Sequence, residues 1–76
     1  MSDRQDQIYE VIAKIAKKEK SAIKPEQELA ADLGIDSPKG LQLLMELEEK
    51  FRIEITDDEA ARMNTVGDIV KFVDSK

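Results

Sequence analysis

Ile8, Val11, Ile12 and Ile15 recur at spacings of three and four residues. That is the period of one helical face, and it predicts a first helix over residues 3–17. Lys17, Lys18 and Lys20 follow and suit its C-terminal end, where the macrodipole is negative. Further on, Gly40, Leu43, Leu44, Leu47 and Phe51 fall within an arc of about 100° on a helical wheel, which defines the buried face of a second helix. Near the end of the chain, Val66, Ile69, Val70 and Val73 repeat the first pattern and predict a last helix.

The polar residues between these stripes mark their boundaries. Residues 21–36 contain Pro25 and Gly34 and read as one long connection, of a length uncommon in compact domains and often functional. Ile23, Leu29, Leu33 and Ile35 are expected to pin it to the core, with a short helical turn around residues 28–33. Proline is preorganised for the first helical position and forces the preceding residue extended. Ser37 is therefore expected as N-cap of the second helix, with Pro38 at N1. Gly40 in its first turn costs about 1 kcal/mol relative to alanine, for which close approach of another group is the expected reason. Ile53 and Ile55 are expected to point inward from an extended link. Thr56 with Glu59 reads as a capping box for a short third helix over residues 57–63, and Thr65 with Asp68 as a looser one for the fourth. The expected fold is all-α, a small four-helix bundle with a long first loop and a short third helix, in a single domain of residues 1–76.

Composition narrows the function classes. A chain of 76 residues with 41% hydrophobic positions can build one core, with little left to wall a catalytic cleft. Without cysteine there is no disulfide framework and no thiol chemistry. No apolar run approaches the roughly 20 residues of a membrane span, and the N-terminal stretch lacks the apolar segment of a signal peptide. A cytoplasmic protein without membrane insertion is the expectation. Residues 1–24 carry six basic and four acidic side chains, a net +2, while residues 25–76 carry six basic and thirteen acidic ones, a net −7. Such a field repels nucleic acid and attracts proteins with basic patches.

One hydroxyl stands out. Ser37 could cap a helix, attack a substrate or receive a group. As a nucleophile it needs a neighbouring base, and the chain has no histidine; Lys39, two residues on, points elsewhere. A phosphate-linked group transferred to Ser37 by another enzyme would sit at a helix N-terminus, where N–H groups and dipole favour an anion. One turn further, Leu41 and Met45 fall outside the buried arc. Ringed by Glu46, Glu48 and Glu49, they form a candidate docking strip, although single exposed apolar residues are also common. Asp57, Asp58 and Glu59 are accounted for by helix capping; the ligand spacing of a calcium loop is missing. No metal site and no catalytic residue is expected.

The ordered set Asp32-Leu33-Gly34-Ile35-Asp36-Ser37, then Leu41 and Leu47-Glu48-Glu49-Lys50-Phe51, then Ile55, Asp57 and Glu59, then Thr65-Val66-Gly67-Asp68-Ile69-Val70 resembles the acyl carrier protein family over nearly the whole chain. The resemblance implies a 4′-phosphopantetheine arm on Ser37, donated from coenzyme A by a magnesium-using phosphopantetheinyl transferase, with an acyl group held as thioester on its thiol. It implies that Asp36 positions Ser37 for transfer. It also implies that Leu41, Met45, Glu48 and Glu49, with Glu46 lower down, meet basic patches on the transferase and on acyl-handling enzymes. The carrier would be a monomer and not an enzyme. Fatty-acid or related biosynthesis is the implied setting, with aminoacyl, peptidyl or polyketide cargo as alternatives; an unmodified acidic helical adaptor, in which Ser37 is only a cap, is the reading left open outside the resemblance. Pro38, Lys39 and Gln42 depart from the family's usual leucine and acids after the serine, which points to a specialised carrier.

Overall fold

In a computed structural model, residues 3–76 are described. They form four α-helices: α1 (Asp3–Ala16), α2 (Ser37–Phe51), α3 (Asp57–Ala61) and α4 (Val66–Asp74). The core lies where α1 packs against α2 and α4. The periodic stripes build it: Ile8, Ile12, Leu43, Leu47, Val66 and Ile69 are completely buried and Val73 almost so. No strand occurs among the described residues.

The helix ends are specified locally. At the end of α1, Lys17 takes a left-handed conformation (φ 58°) and Lys18 N–H reaches back to the Ala13 carbonyl at 3.0 Å. This geometry satisfies carbonyls that the helix itself cannot. Both capping boxes form, Thr56 with Glu59 and Thr65 with Asp68, and the second is as complete as the first. The third helix ends two residues earlier than expected, at Ala61, with Arg62 as its C-cap.

The long connection is more ordered than its polarity suggests. It contains a 3-10 turn at Lys20–Ala22 that the hydrophobic pattern does not signal. Around residues 28–33 there is a turn, not a helix; Asp32 and Leu33 N–H both reach the Glu28 carbonyl. Ile23, Leu33 and Ile35 are buried, and Leu29 is half-buried against the core. Its polar backbone is then satisfied by the α3–α4 junction. Leu29 N–H donates to Asn64 O at 2.9 Å, Val66 N–H to Gln27 O at 3.0 Å, and Gly67 N–H to Pro25 O at 2.9 Å. An added Cβ at Gly67 would lie 3.1 Å from that same Pro25 oxygen, so glycine permits the approach.

Candidate functional site

The site begins with Gly34, whose φ of +66° turns the chain out of the long connection. Residues other than glycine adopt this conformation at a penalty. Ile35 then plugs into the core, and Asp36 opens α2.

Asp36, not Ser37, is the N-cap: its extended backbone (φ −77°, ψ −175°) precedes the helix, and its carboxylate accepts from Lys39 N–H at 3.2 Å. The helical ladder also starts there, with Gly40 N–H on the Asp36 carbonyl at 2.7 Å. The sequence expectation is thus corrected by one residue, with Ser37 at N1 and Pro38 at N2. Asp and Ser are comparable caps, but the carboxylate makes the stronger, charge-assisted bond. The consequence for Ser37 is direct. Its hydroxyl is exposed and, among the described residues, makes no hydrogen bond.

The anion-binding capacity at this terminus is smaller than a bare helix start provides. Lys39 N–H is taken by Asp36, and Pro38 has no N–H. Among the first three helical positions, only the Ser37 N–H remains without an intrahelical partner. The residues still fit a phosphodiester, because the linking oxygen is free, the dipole is favourable, and nothing covers the position.

Beside Ser37 lies a groove of about 620 Å³ between the long connection, α2 and α3. Leu29, Ile35, Leu43, Leu44, Ala60 and Met63 line it, and Ser37, Asp36 and Gly40 border it. The size falls within the usual range for small-molecule sites. Sequence reasoning missed this groove, because it forms only where residues 57–64 pack beside residues 28–44. The small residues Gly40, Ala60 and Ala61 were the available signal.

Leu41 and Met45 are 63% and 56% exposed, the large apolar residues left uncovered. With Ser37 they run along one side of α2. The three glutamates of the expected strip have different situations. Glu49 is exposed and forms no ion pair among the described residues. Glu48 turns its Oε2 onto Ile55 N–H at 2.8 Å, bracing the link before α3. Glu46 stands on the opposite flank, roughly 140° around the wheel from Leu41. Its Oε1 accepts from Lys14 Nζ at 2.8 Å, and its Oε2 is enclosed without a hydrogen-bond donor. The structure thus brings Ser37, Leu41, Met45, Glu48 and Glu49 together and sets Glu46 apart, against α1.

Among the described residues this short helical bundle displays an unpartnered serine at a helix start, beside an apolar groove, an arrangement open to the attachment of a group. The comparisons with known proteins make this specific. Residues 6–73 match the family described as phosphopantetheine attachment site. The chain is 41% identical over 70 residues to an acyl carrier protein of Wolinella succinogenes, covering 92% of each chain. It is 42% identical over 69 residues to one of Helicobacter pylori, covering 91% of this chain and 88% of that one. A solved structure of a Mycobacterium tuberculosis protein superposes with a TM-score of 0.89 at 36% identity, over 95% of this chain and 96% of that one. The chain belongs to the acyl carrier protein family, whose members carry covalent 4′-phosphopantetheine and are carriers, not enzymes. Family membership also implies contact with a phosphopantetheinyl transferase and with acyl-handling enzymes.

Proposed function

We propose that Ser37 is the attachment point and that the protein carries an acyl thioester on its arm between enzymes of fatty-acid or related biosynthesis. The observation that carries this reading is the Ser37 hydroxyl itself: exposed, unpartnered among the described residues and placed at the first turn of α2 beside the groove. In the transfer, the Ser37 oxygen bonds to the phosphorus bearing the pantetheine arm. The phosphoanhydride bond of coenzyme A breaks, the nucleotide departs, and a base of the transferase takes the serine proton. Within this chain Asp36 is a positioning residue. By capping Lys39 N–H it fixes the helix start and so the direction of the Ser37 side chain.

Leu41, Met45 and Glu49 form the docking strip, apolar in the middle and acidic at the edge, which suits basic partner patches. Glu48 joins it with whatever charge its bond to Ile55 leaves facing outward. The groove is the resting place of the cargo. Its apolar lining excludes water from a hydrocarbon chain, and it opens beside the atom to which the arm is joined. The carrier acts as a monomer.

Mass spectrometry after incubation with coenzyme A, magnesium and a broad-specificity transferase tests the reading. One pantetheine phosphate is expected on the wild type and none on Ser37→Ala. An unchanged wild-type mass, under conditions that modify another carrier, would overturn it.

A further inference from the structure

Gly40 lies one turn below Ser37 on the wall of the groove. Neither of the usual reasons for glycine applies. Its backbone is helical, with no left-handed φ, so no conformation demands it. Nor does packing exclude a side chain, because an added Cβ would meet only Ile35 Cγ2 at 3.9 Å, an ordinary contact. The close approach expected from the sequence is absent. What the missing side chain does leave is width, at the part of the groove nearest the attachment oxygen. Ala60 and Ala61 also line the groove, so small residues on two helices face the same space.

We infer that Gly40 is a specificity-determining residue that widens the groove beneath Ser37, so that the carrier shelters acyl groups of large cross-section, branched or ring-bearing, as well as straight chains. The inference rests on the reading of Ser37 as attachment point. A straight hydrocarbon passes a constriction that a ring cannot, so narrowing this wall discriminates between them. An apolar pocket typically distinguishes ligands differing by one methylene by about ten-fold or more. A valine at position 40 would project two methyl groups from the helix at this wall.

The test uses the full chain loaded by a broad-specificity transferase from two acyl-coenzyme A thioesters, hexanoyl and cyclohexanecarbonyl. The rate of thioester cleavage by hydroxylamine is compared with that of the same acyl group on free pantetheine. In the wild type both cargoes are expected to be protected. In Gly40→Val, protection of the ring is expected to fall about ten-fold, and that of hexanoyl less than about two-fold. Gly40→Ala, which favours the helix, serves as a second variant and is expected to lie between. If wild type fails to protect the ring, or if both cargoes change equally in the variants, the inference is overturned while the attachment reading stands. If no arm is transferred to the wild type, the attachment reading fails first.

Discussion

Glu48 Oε2 accepts a hydrogen bond from Ile55 N–H at 2.8 Å, tying the outer side of α2 to the link that leads into α3. The acid therefore has an internal duty as well as a place beside the proposed docking strip. The two are separable by substitution. Glu48→Ala is expected to lower stability by about 1.5–3 kcal/mol, the range for a hydrogen bond to a charged group, seen in chemical denaturation. Glu48→Gln retains an acceptor and should recover part of it. Equal stability of the alanine variant and wild type would mean that the bond contributes nothing.

Glu49 provides the cleaner probe of docking, because it has no ion-pair partner among the described residues and its reversal disturbs no bond. Glu49→Lys is expected to leave the stability within about 0.5 kcal/mol of wild type. It should weaken association with a transferase and flatten the dependence of that association on salt. Binding measured by calorimetry at two ionic strengths decides it. Reversal of Glu48 is less informative, since a loss of binding would be mixed with release of the link before α3.

Acid should destabilise the protein through its two capping boxes. The Glu59 carboxyl is held below its ordinary range chiefly by the Thr56 backbone N–H, aided by the Thr56 hydroxyl and Lys76. The Asp68 carboxyl is lowered chiefly by the backbone N–H groups of Asn64 and Thr65. A carboxyl with a depressed folded pKa stabilises above its unfolded value, and that stability is lost as pH falls through the folded one. The decline should accordingly begin near pH 4 and continue below it. Asp68→Asn is expected to reduce stability at pH 7 by about 1 kcal/mol and to make the acid limb shallower. A melting curve taken against pH for both proteins checks the slope.

Gly34 makes the left-handed turn (φ +66°) that leads the chain into Ile35, Asp36 and Ser37. An added Cβ there meets nothing within 4 Å, so Gly34→Ala isolates the backbone penalty at φ +66°. A loss of about 1–2 kcal/mol is expected, together with slower transfer of the arm, because Ile35 and Asp36 would no longer be presented in register. Unchanged stability would show that the turn relaxes without strain.

Gly40→Ala should have the opposite sign. With the nearest side-chain atom at 3.9 Å, the helix gains about 0.5–1 kcal/mol, measurable in the unmodified chain by thermal denaturation. Destabilisation would reveal crowding that the static contact does not show.

The four helices were legible because their signals are local. The stripes of Ile8 to Ile15, Leu43 to Phe51 and Val66 to Val73, and the two threonine boxes, involve residues within a few turns of one another. Ser37 was legible for the same reason, as a serine before a proline at the start of such a stripe. The cap was misplaced by one residue because Asp36 and Ser37 are adjacent and almost equal in capping preference; only the placement of the first helical bond separates them. Glu46 was counted with Glu48 and Glu49 by its nearness in sequence; the wheel already sets it on another flank, about 140° from Leu41, and only the fold shows that Lys14 meets it there.

The chain by itself therefore determined the helices, their order and the hydroxyl that opens the second one, since helical period and capping act over spans of three or four residues. Tertiary structure alone decided which acids face outward, that Lys14 of α1 engages Glu46, that Glu48 reaches the link before α3, and that a groove runs beneath Ser37. Those features depend on contacts between different elements of the fold, and burial against such neighbours has no periodic trace along the sequence.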